Sequence, residues 1–490
     1  MVTKKFTFLS VVLTMLVFVF RYDSFQDILL NIDEAEWIYC LKRCISNPIP
    51  FLGFDSHTTG PVSIYFLTPL KVFNSDLSVV CLRVYGLLFM FLLPIFIFKL
   101  LARNNKFIYA VVFSSFLLIR DKDFFAFNTE WILIPFLFLL VLLSKICFDS
   151  SDKLKLTLLT LLNFLLPLIK FQSILIVFFI TFYLIIQFYN KKDFLAIKWY
   201  IFINILFLIF FIVLIQFTTG LSEFYYYYIE RNMAYASSFA TKPIKVVIVE
   251  YTYLLFKYFS FHLFFICYLF LSLIFSKKYK FLYLIKSLRF ELFLTIVCLL
   301  TVFFPKNNFL HYYQFLFVPF TFLIVKLLLF MNSNIFRYSI CFLSFFIIPF
   351  GNRLADKLYD HFIKGSSINT LYYEKVDLVD LNYILNYIPK KSSVFIFGWH
   401  KALPLYYNLR NSNQFSNPSG HTSYMIDLKD NKNIYVKEKK NILNVLKYSS
   451  VVLDAENVLE QIRDNEINNE LFKSFKPVKV KNSYKLFIRK

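Results

Sequence analysis

Glycine is the first shortage. The chain holds 8 glycines in 490 residues, and none are grouped so that backbone N–H groups could cradle a phosphate, which sets aside the glycine-rich nucleotide folds. Seven cysteines show neither metal-ligand nor redox spacing. Cys40 and Cys44 would share a helix face, which ordinary helix packing explains. Acids are scarce too, 31 against 53 lysines and arginines, for a net charge of +22. That excess would suit nucleic acid if it formed a patch, but the basic residues sit between hydrophobic runs, where orientation signals and contacts with anionic lipid belong. No nucleic-acid partner is expected. Short alternating strands are missing, which excludes a membrane β-barrel. No small-residue cleavage site follows the first apolar run, only Phe20, Arg21 and Tyr22, so that run is expected to be an uncleaved span. Internal repeats and low-complexity tracts are absent.

Apolar residues are what the chain has in abundance: 58% are hydrophobic and only 17% charged, and the excess is gathered into runs. FTFLSVVLTMLVFVF, FFAFNTEWILIPFLFLLVLL and ILIVFFITFYLII are apolar all round rather than along one stripe. Lipid-facing helices need that, because backbone groups in hydrocarbon must pair within their own segment. The expected architecture is therefore an α-helical polytopic membrane protein. Hydrophobic segments fall at about 6–20, 79–99, 107–119, 131–144, 155–169, 172–189, 198–216, 260–276, 290–304, 310–330 and 335–350, about eleven spans. With the N-terminus in the cytoplasm, Lys99, Arg103 and Lys106 fall in inner loops, as do Lys145, Lys153 and Lys155. So do Lys191, Lys192, Lys198, Lys277, Lys278, Lys280, Arg289 and Arg337, as the positive-inside bias requires.

An odd span count puts the C-terminal part outside. Two domains follow: a transmembrane domain over 1–351, with a first outer loop at 21–78, and a C-terminal extracytoplasmic α/β domain over 352–490. In the outer loop, GPVSIYFLTPLKVF reads as a helix lying in the membrane interface. In the C-terminal part, SSVFIFGW, SSVVLDA and SYKLFIRK read as strands, with helical stretches such as LVDLNYILNYI among them.

The outer ends of the spans collect the polar groups. NIDEAEW brings Asp33, Glu34 and Glu36; RDKDFFAFNTEW brings Asp121, Asp123 and Glu130; the turn PLIKFQS brings Lys170 and Gln172. LSEFYYYYIERNMAY carries a tyrosine run that reads as an interfacial aromatic belt. PKNNFLHYYQFLFVP adds Lys306, His311, Tyr312 and Gln314. Ionisable groups at membrane depth are expensive and often functional, and their convergence matters more than any one of them. Structural readings stay open for each. Asp33 and Glu34 suit a helix N-terminus, Asp121, Asp123 and Glu130 could be solvated loop charges, and Lys170 could snorkel. His311 could pack among aromatics, and Gly398-Trp399-His400 could be a strand-ending turn.

Taken in order, these segments resemble the GT-C glycosyltransferases of the protein O-mannosyltransferase and aminoarabinose-transferase type. Asp33-Glu34 is similar to that family's acidic pair after the first span, and Gly60-Pro61-Val62-Ser63-Ile64-Tyr65 to its Pro-aromatic segment. Asp123 and Thr129-Glu130 are similar to the acids ahead of a Ser/Thr-Glu step. Lys170 with Gln172 is similar to the basic residue after the fifth span, and His311-Tyr312-Tyr313-Gln314 through Pro319 to the late His-Tyr stretch. Gly398-Trp399 and Tyr406 resemble a C-terminal feature of bacterial members. One departure is Pro305-Lys306-Asn307-Asn308, where the family has Gly-Arg, so a phosphate contact there would pass to Lys306 or elsewhere.

The resemblance implies an integral protein of the bacterial inner membrane that moves a sugar from a polyprenyl-phosphate donor to a glycan, lipid or protein acceptor outside the cytoplasm. The chemistry fits. A phosphate leaves as an anion and needs positive charge or donors more than a general acid, and an acceptor hydroxyl needs a base. Asp33 is expected to be that base, with Glu34 beside it turned elsewhere by helix geometry. Lys170, His311 and Tyr312 are expected to approach the phosphate, and Glu130 and Asp123 to position acceptor or base. Relatives with monophosphate donors do not generally need a metal, and the point stays open here, since the acids could hold a divalent cation. The main rival is a membrane transporter or lipid-linked glycan flippase, which would place ionisable groups at mid-bilayer. A polysaccharide polymerase or ligase and a non-catalytic scaffold are further alternatives.

Overall fold

A computed structural model describes residues 2–25, 31, 33–56, 59–73, 77–102, 105–119, 121–238, 243–275, 281–305, 309–331, 383, 386–389, 392–398, 410–411, 431–455, 457–481 and 484–490. The expected span at 335–350, the division at 351/352, LVDLNYILNYI apart from Tyr383, Asn386, Tyr387 and Ile388, and Lys306, Trp399, His400 and Tyr406 lie outside the described residues.

The described residues are mostly helical. Helix α1 spans Val2–Phe20, α2 Asp33–Ser46, α3 Pro61–Leu67 and α4 Pro69–Phe73. They are followed by α5 Val79–Leu101, α6 Lys106–Phe116, α7 Lys122–Phe125, α8 Glu130–Asp149 and α9 Lys153–Ile169. A 3₁₀ turn at Phe171–Ser173 leads into α10, Ile174–Asn190, and then α11, Phe194–Thr218. The short α12, Leu221–Phe224, runs through a π-helical turn at Tyr225–Glu230 into α13, Arg231–Ser238. Helices α14, Ile244–Phe275, and α15, Phe281–Phe303, precede a 3₁₀ segment at Leu310–Leu316 and α16, Phe317–Phe330. Among the described residues, six helical segments are long and apolar enough to cross a membrane: Val79–Leu101, Glu130–Asp149, Phe171–Asn190, Phe194–Thr218, Ile244–Phe275 and Leu310–Phe330. The chain is a helical protein of membrane character.

Most helices begin and end near the expected span limits; α15 starts at Phe281, nine residues before its expected limit, and α14 departs further. A span was expected from 260, but α14 starts at Ile244 and runs for 32 residues. No proline or glycine interrupts it, so nothing stops the hydrogen-bond ladder earlier.

The chain divides into two compact units. The first comprises Met1–Asp27, Val80–Phe211 and Lys242–Leu371, and the second Ile28–Val79, Ile212–Thr241 and Tyr372–Lys490. In the first, Gly86 lets α5 come close to the segment leading into α8: a Cβ there would lie 2.4 Å from Phe127 and 2.9 Å from Trp131. Helices α9, α10 and α11 share a polar cluster in which Asn163 donates to Tyr200 at 2.7 Å and to Thr181 at 3.2 Å. Such side chains join helices where apolar burial cannot.

The second unit contains a five-stranded sheet of order β2-β1-β3-β5-β4. Its strands are β1 Ser393–Phe397, β2 Arg410–Asn411, β3 Val451–Ala455, β4 Phe475–Lys481 and β5 Tyr484–Arg489. Helices α17, Lys432–Tyr448, α18, Val458–Ile462, and α19, Asn465–Ser474, lie between strands in the chain. Strands β1, β2 and β3 are parallel, and β5 is antiparallel to both β3 and β4. Both faces of the central strands are buried, which is why they read as unbroken apolar runs rather than alternating ones. Phe395, Phe397 and Val452 pack under Ile442, Leu446, Leu459 and Leu471 from the three helices. Val394, Ile396, Val451 and Leu453 form the core on the other face. Three of the strands fall where the sequence places them. Strand β4 went unread because FKPVKVK carries Pro477, and the sheet accommodates that proline by putting β4 at its edge.

Candidate functional site

In the first unit, three segments bring their polar residues together: the start of α8, the end of α9 and the 3₁₀ segment before α16. Glu130 is the first residue of α8, and Lys170 follows α9 in an extended conformation. Both are buried, and Lys170 Nζ stands 3.0 Å from Glu130 Oε1. The ammonium also donates to Thr129 Oγ1 at 3.4 Å and lies 5.0 Å from the centroid of the Tyr312 ring. His311 meets Tyr312 edge-on with centroids 4.6 Å apart, so Lys170 and His311 flank one ring. Of the residues expected at the site, the fold thus gathers Glu130, Lys170, His311 and Tyr312.

Polar atoms without hydrogen-bond partners concentrate on the same segments. Gln172 Oε1, Ser173 Oγ, Trp131 Nε1 and both amide atoms of Gln314 are buried and unpaired. The Glu130 oxygens have the ion pair but no hydrogen bond. Buried polar groups nearly always find partners, so a cluster of exceptions marks a place suited to a polar ligand. Gln314 lies three residues beyond His311, where a 3₁₀ segment eclipses side chains. The sequence had shown Gln314 in its motif without giving it a role.

The segment RDKDFFAFNTEW is arranged differently. Asp121 caps α7, its Oδ1 accepting the N–H of Asp123 at 2.9 Å and its Oδ2 the hydroxyl of Tyr258 at 2.7 Å. Asp123 is half-buried, and its backbone carbonyl accepts from Asn128 at 3.0 Å. Beside it, Arg21 is buried with its guanidinium 4.6 Å from the Trp131 ring centroid and 4.9 Å from that of Phe125. Burial, with Arg83 nearby, pulls its pKa down to about 9.

Asp33 and Glu34 belong to the second unit. Asn31 Oδ1 accepts the N–H of Asp33 at 2.9 Å, so Asn31 supplies the side-chain cap of α2 and Asp33 is left in its first turn. Asp33 is half-buried, and Glu34 and Glu36 are buried. Cys40, further along α2, donates to the Asp55 carbonyl at 2.9 Å.

One constellation in that unit had no signal in the sequence. Arg231, Asp55 and Glu438 are all buried, with Arg231 Nη2 at 2.6 Å and 2.7 Å from the Asp55 oxygens and Nη1 at 3.5 Å from Glu438 Oε1. Tyr226 donates to Glu438 at 2.9 Å, and Lys437 pairs with Glu223 at 3.0 Å. Of the tyrosine run read as an interfacial belt, only Tyr225 is exposed; Tyr226, Tyr227 and Tyr228 are buried within the unit. The π-helical turn redirects their side chains from the faces an α-helix would give them.

Elsewhere in the unit, Asp454 at the end of β3 is buried and accepts the N–H of Leu459 at 3.1 Å, while its Oδ2 has no partner. Burial pushes its carboxyl up to about 6. Gly398, at the end of β1, has φ +123°, and a Cβ there would lie 2.9 Å from the Ala455 carbonyl. Among the described residues no three His, Cys, Asp or Glu side chains converge on a point that could hold a metal ion.

No protein-family model matches the chain, and no curated protein or solved structure matches it.

Proposed function

We propose that the protein is an inverting glycosyltransferase that moves a sugar from a polyprenyl-phosphate donor to an extracytoplasmic acceptor hydroxyl. The observation that supports this reading most is the buried Glu130–Lys170 pair beside Tyr312 and His311, on segments that also carry unpaired polar atoms. Lys170 is a cation held in a water-poor place, which suits a leaving phosphate. Glu130 holds it oriented until the donor phosphate arrives. Asp33 serves as the base that takes the acceptor proton, and one displacement inverts the anomeric carbon. In this reading the chain has eleven spans in a bacterial inner membrane, with its N-terminus in the cytoplasm and an α/β domain over 352–490 outside. The test is consumption of radiolabelled polyprenyl-phosphate sugars by purified protein in detergent. Folded protein that consumes none of a panel of such donors, with acceptor extracts supplied, rules the reading out.

A transporter is favoured by one observation. His262 is buried in α14, its ring stacked on that of Phe116 with centroids 3.9 Å apart. Ionisable groups inside helical bundles often line transport paths. Flux of a labelled lipid-linked glycan into protein-containing vesicles, without sugar transfer, would select that reading.

A further inference from the structure

We propose that the ends of α6, α8 and α16, with the middle of α15, form a binding site for the headgroup of an anionic phospholipid. Lys145 of α8 is paired with Glu291 of α15 at 2.5 Å, and its ammonium lies 4.5 Å from the ring centroid of Phe322 on α16 and 5.4 Å from that of Phe290 on α15. Lys326 follows Phe322 by four residues and so projects from the same face of α16 one turn on. It comes within electrostatic reach of Lys145. Tyr109 of α6 completes the group: its ring meets Phe322 with centroids 5.2 Å apart, and its hydroxyl feels the Glu291 charge.

The charges do not cancel. Lys145 and Glu291 neutralise each other, and among the described residues no carboxylate pairs with Lys326. Lys326 is thus a cation without a paired carboxylate among apolar helices, where it is expensive without a counter-anion. Lys145 keeps 25% of its side chain exposed and Lys326 is half-buried, so a ligand can reach both from the edge of the bundle.

Position selects a lipid as the source of the anion. The segments carrying Lys145 and Lys326 are apolar enough to cross a membrane, and each lysine lies four residues from its helix end, at Asp149 and Phe330. Headgroup phosphates lie at that depth. A phosphodiester carries one negative charge, matching the Lys326 cation. The ammonium of a zwitterionic headgroup would add a cation beside two lysines, so a glycerol headgroup is preferred to a choline one. Glu130 is fifteen residues back along α8, about 22 Å away on the helix axis, so this site is separate from the candidate site.

The test is native mass spectrometry of the full chain in detergent with phosphatidylglycerol and phosphatidylcholine at equal concentration. A lysine near the membrane surface contributes about 1 kcal/mol of attraction, so retention of phosphatidylglycerol should exceed that of phosphatidylcholine about fivefold. Lys326→Gln, which leaves the Lys145–Glu291 pair in place, should bring the ratio to near one. Phosphatidylglycerol should also raise the melting temperature of the native chain by mass action and do so less for the variant. Equal retention of the two lipids by the native chain overturns the proposal, as does an unchanged ratio in a folded Lys326→Gln protein. A third arm adds excess inorganic phosphate. Lipid retained in its presence supports a headgroup site, and loss of the lipid to free phosphate overturns it.

Discussion

Arg231 sets one guanidinium nitrogen 2.6 Å and 2.7 Å from the two carboxylate oxygens of Asp55, a residue 176 positions earlier in the chain. Neither side chain meets solvent, and Glu438 and Tyr226 complete the group. Removing one member of such a group leaves a buried charge uncompensated and typically costs about 3–5 kcal/mol. Arg231→Met should therefore lower the stability of the second unit by that order, read as a large fall in the melting temperature of the full chain in detergent. A paired Asp55→Asn, Glu438→Gln background should remove much of the penalty. Equal losses in both backgrounds would show that the guanidinium matters for packing and not for charge.

Asp33 and Glu34 separate catalysis from helix capping. With Asn31 already capping α2, Asp33→Asn should leave folding unchanged. As the proposed base, the same substitution should lower turnover on the order of 10²–10⁴-fold while donor binding survives. Glu34→Gln, at a buried position, should hurt turnover less. Near-normal turnover in a folded Asp33→Asn protein would take Asp33 out of the mechanism.

Lys170 and Glu130 should behave as a coupled pair. Lys170→Met strands the Glu130 carboxylate in a buried place and should reduce both melting temperature and donor affinity. Lys170→Met with Glu130→Gln should recover stability without recovering affinity. Isothermal binding of a polyprenyl phosphate to the three proteins measures the split. Recovery of affinity in the double variant would show that the lysine does not bind the donor phosphate.

Asp454 gives the second unit a pH dependence of definite sign. Its carboxyl is raised from the ordinary 3.8 to about 6 by burial, so the folded chain holds a proton that the unfolded chain releases between those values. Its contribution to stability is complete below about pH 4 and is lost as the pH rises through 6. Asp454→Asn keeps an acceptor for the Leu459 N–H and cannot ionise. Melting curves should show the variant gaining on the native chain from pH 4 to 6, with the gap constant above. A gap that does not change with pH would mean that the carboxyl titrates normally.

Much of the helical fold was legible because lipid-facing helices are written as local runs. Val79–Leu101 and Phe194–Thr218 need no distant information to be recognised. Strands β1, β3 and β5 were legible for the same reason. What escaped depends on pairing across long stretches of chain. Nothing near Asp55 signals Arg231, and nothing near Lys145 signals Glu291, 146 residues away. At the candidate site the residue types were readable, since acids, a lysine and a histidine at span ends are conspicuous. That Lys170 would pair with Glu130 was not, because either could equally have turned to solvent. The burial of Tyr226, Tyr227 and Tyr228 was hidden by a local backbone change, since a π-helical turn shifts the face on which each residue falls.

Helix α14 has one further consequence. At 32 residues it is about 48 Å long, against a hydrocarbon thickness of roughly 30 Å. Its last charged residue is Lys257, and the stretch from there to Phe275, about 27 Å, nearly matches that thickness by itself. The surplus at the N-terminal end carries Lys245 and Glu250, suited to water or headgroups. With no proline or glycine along its length, the helix has no built-in hinge where membrane meets water. Motion at its Ile244 end would be carried along the helix toward His262, whose Nε2 lies 3.2 Å from Ser115 Oγ on α6.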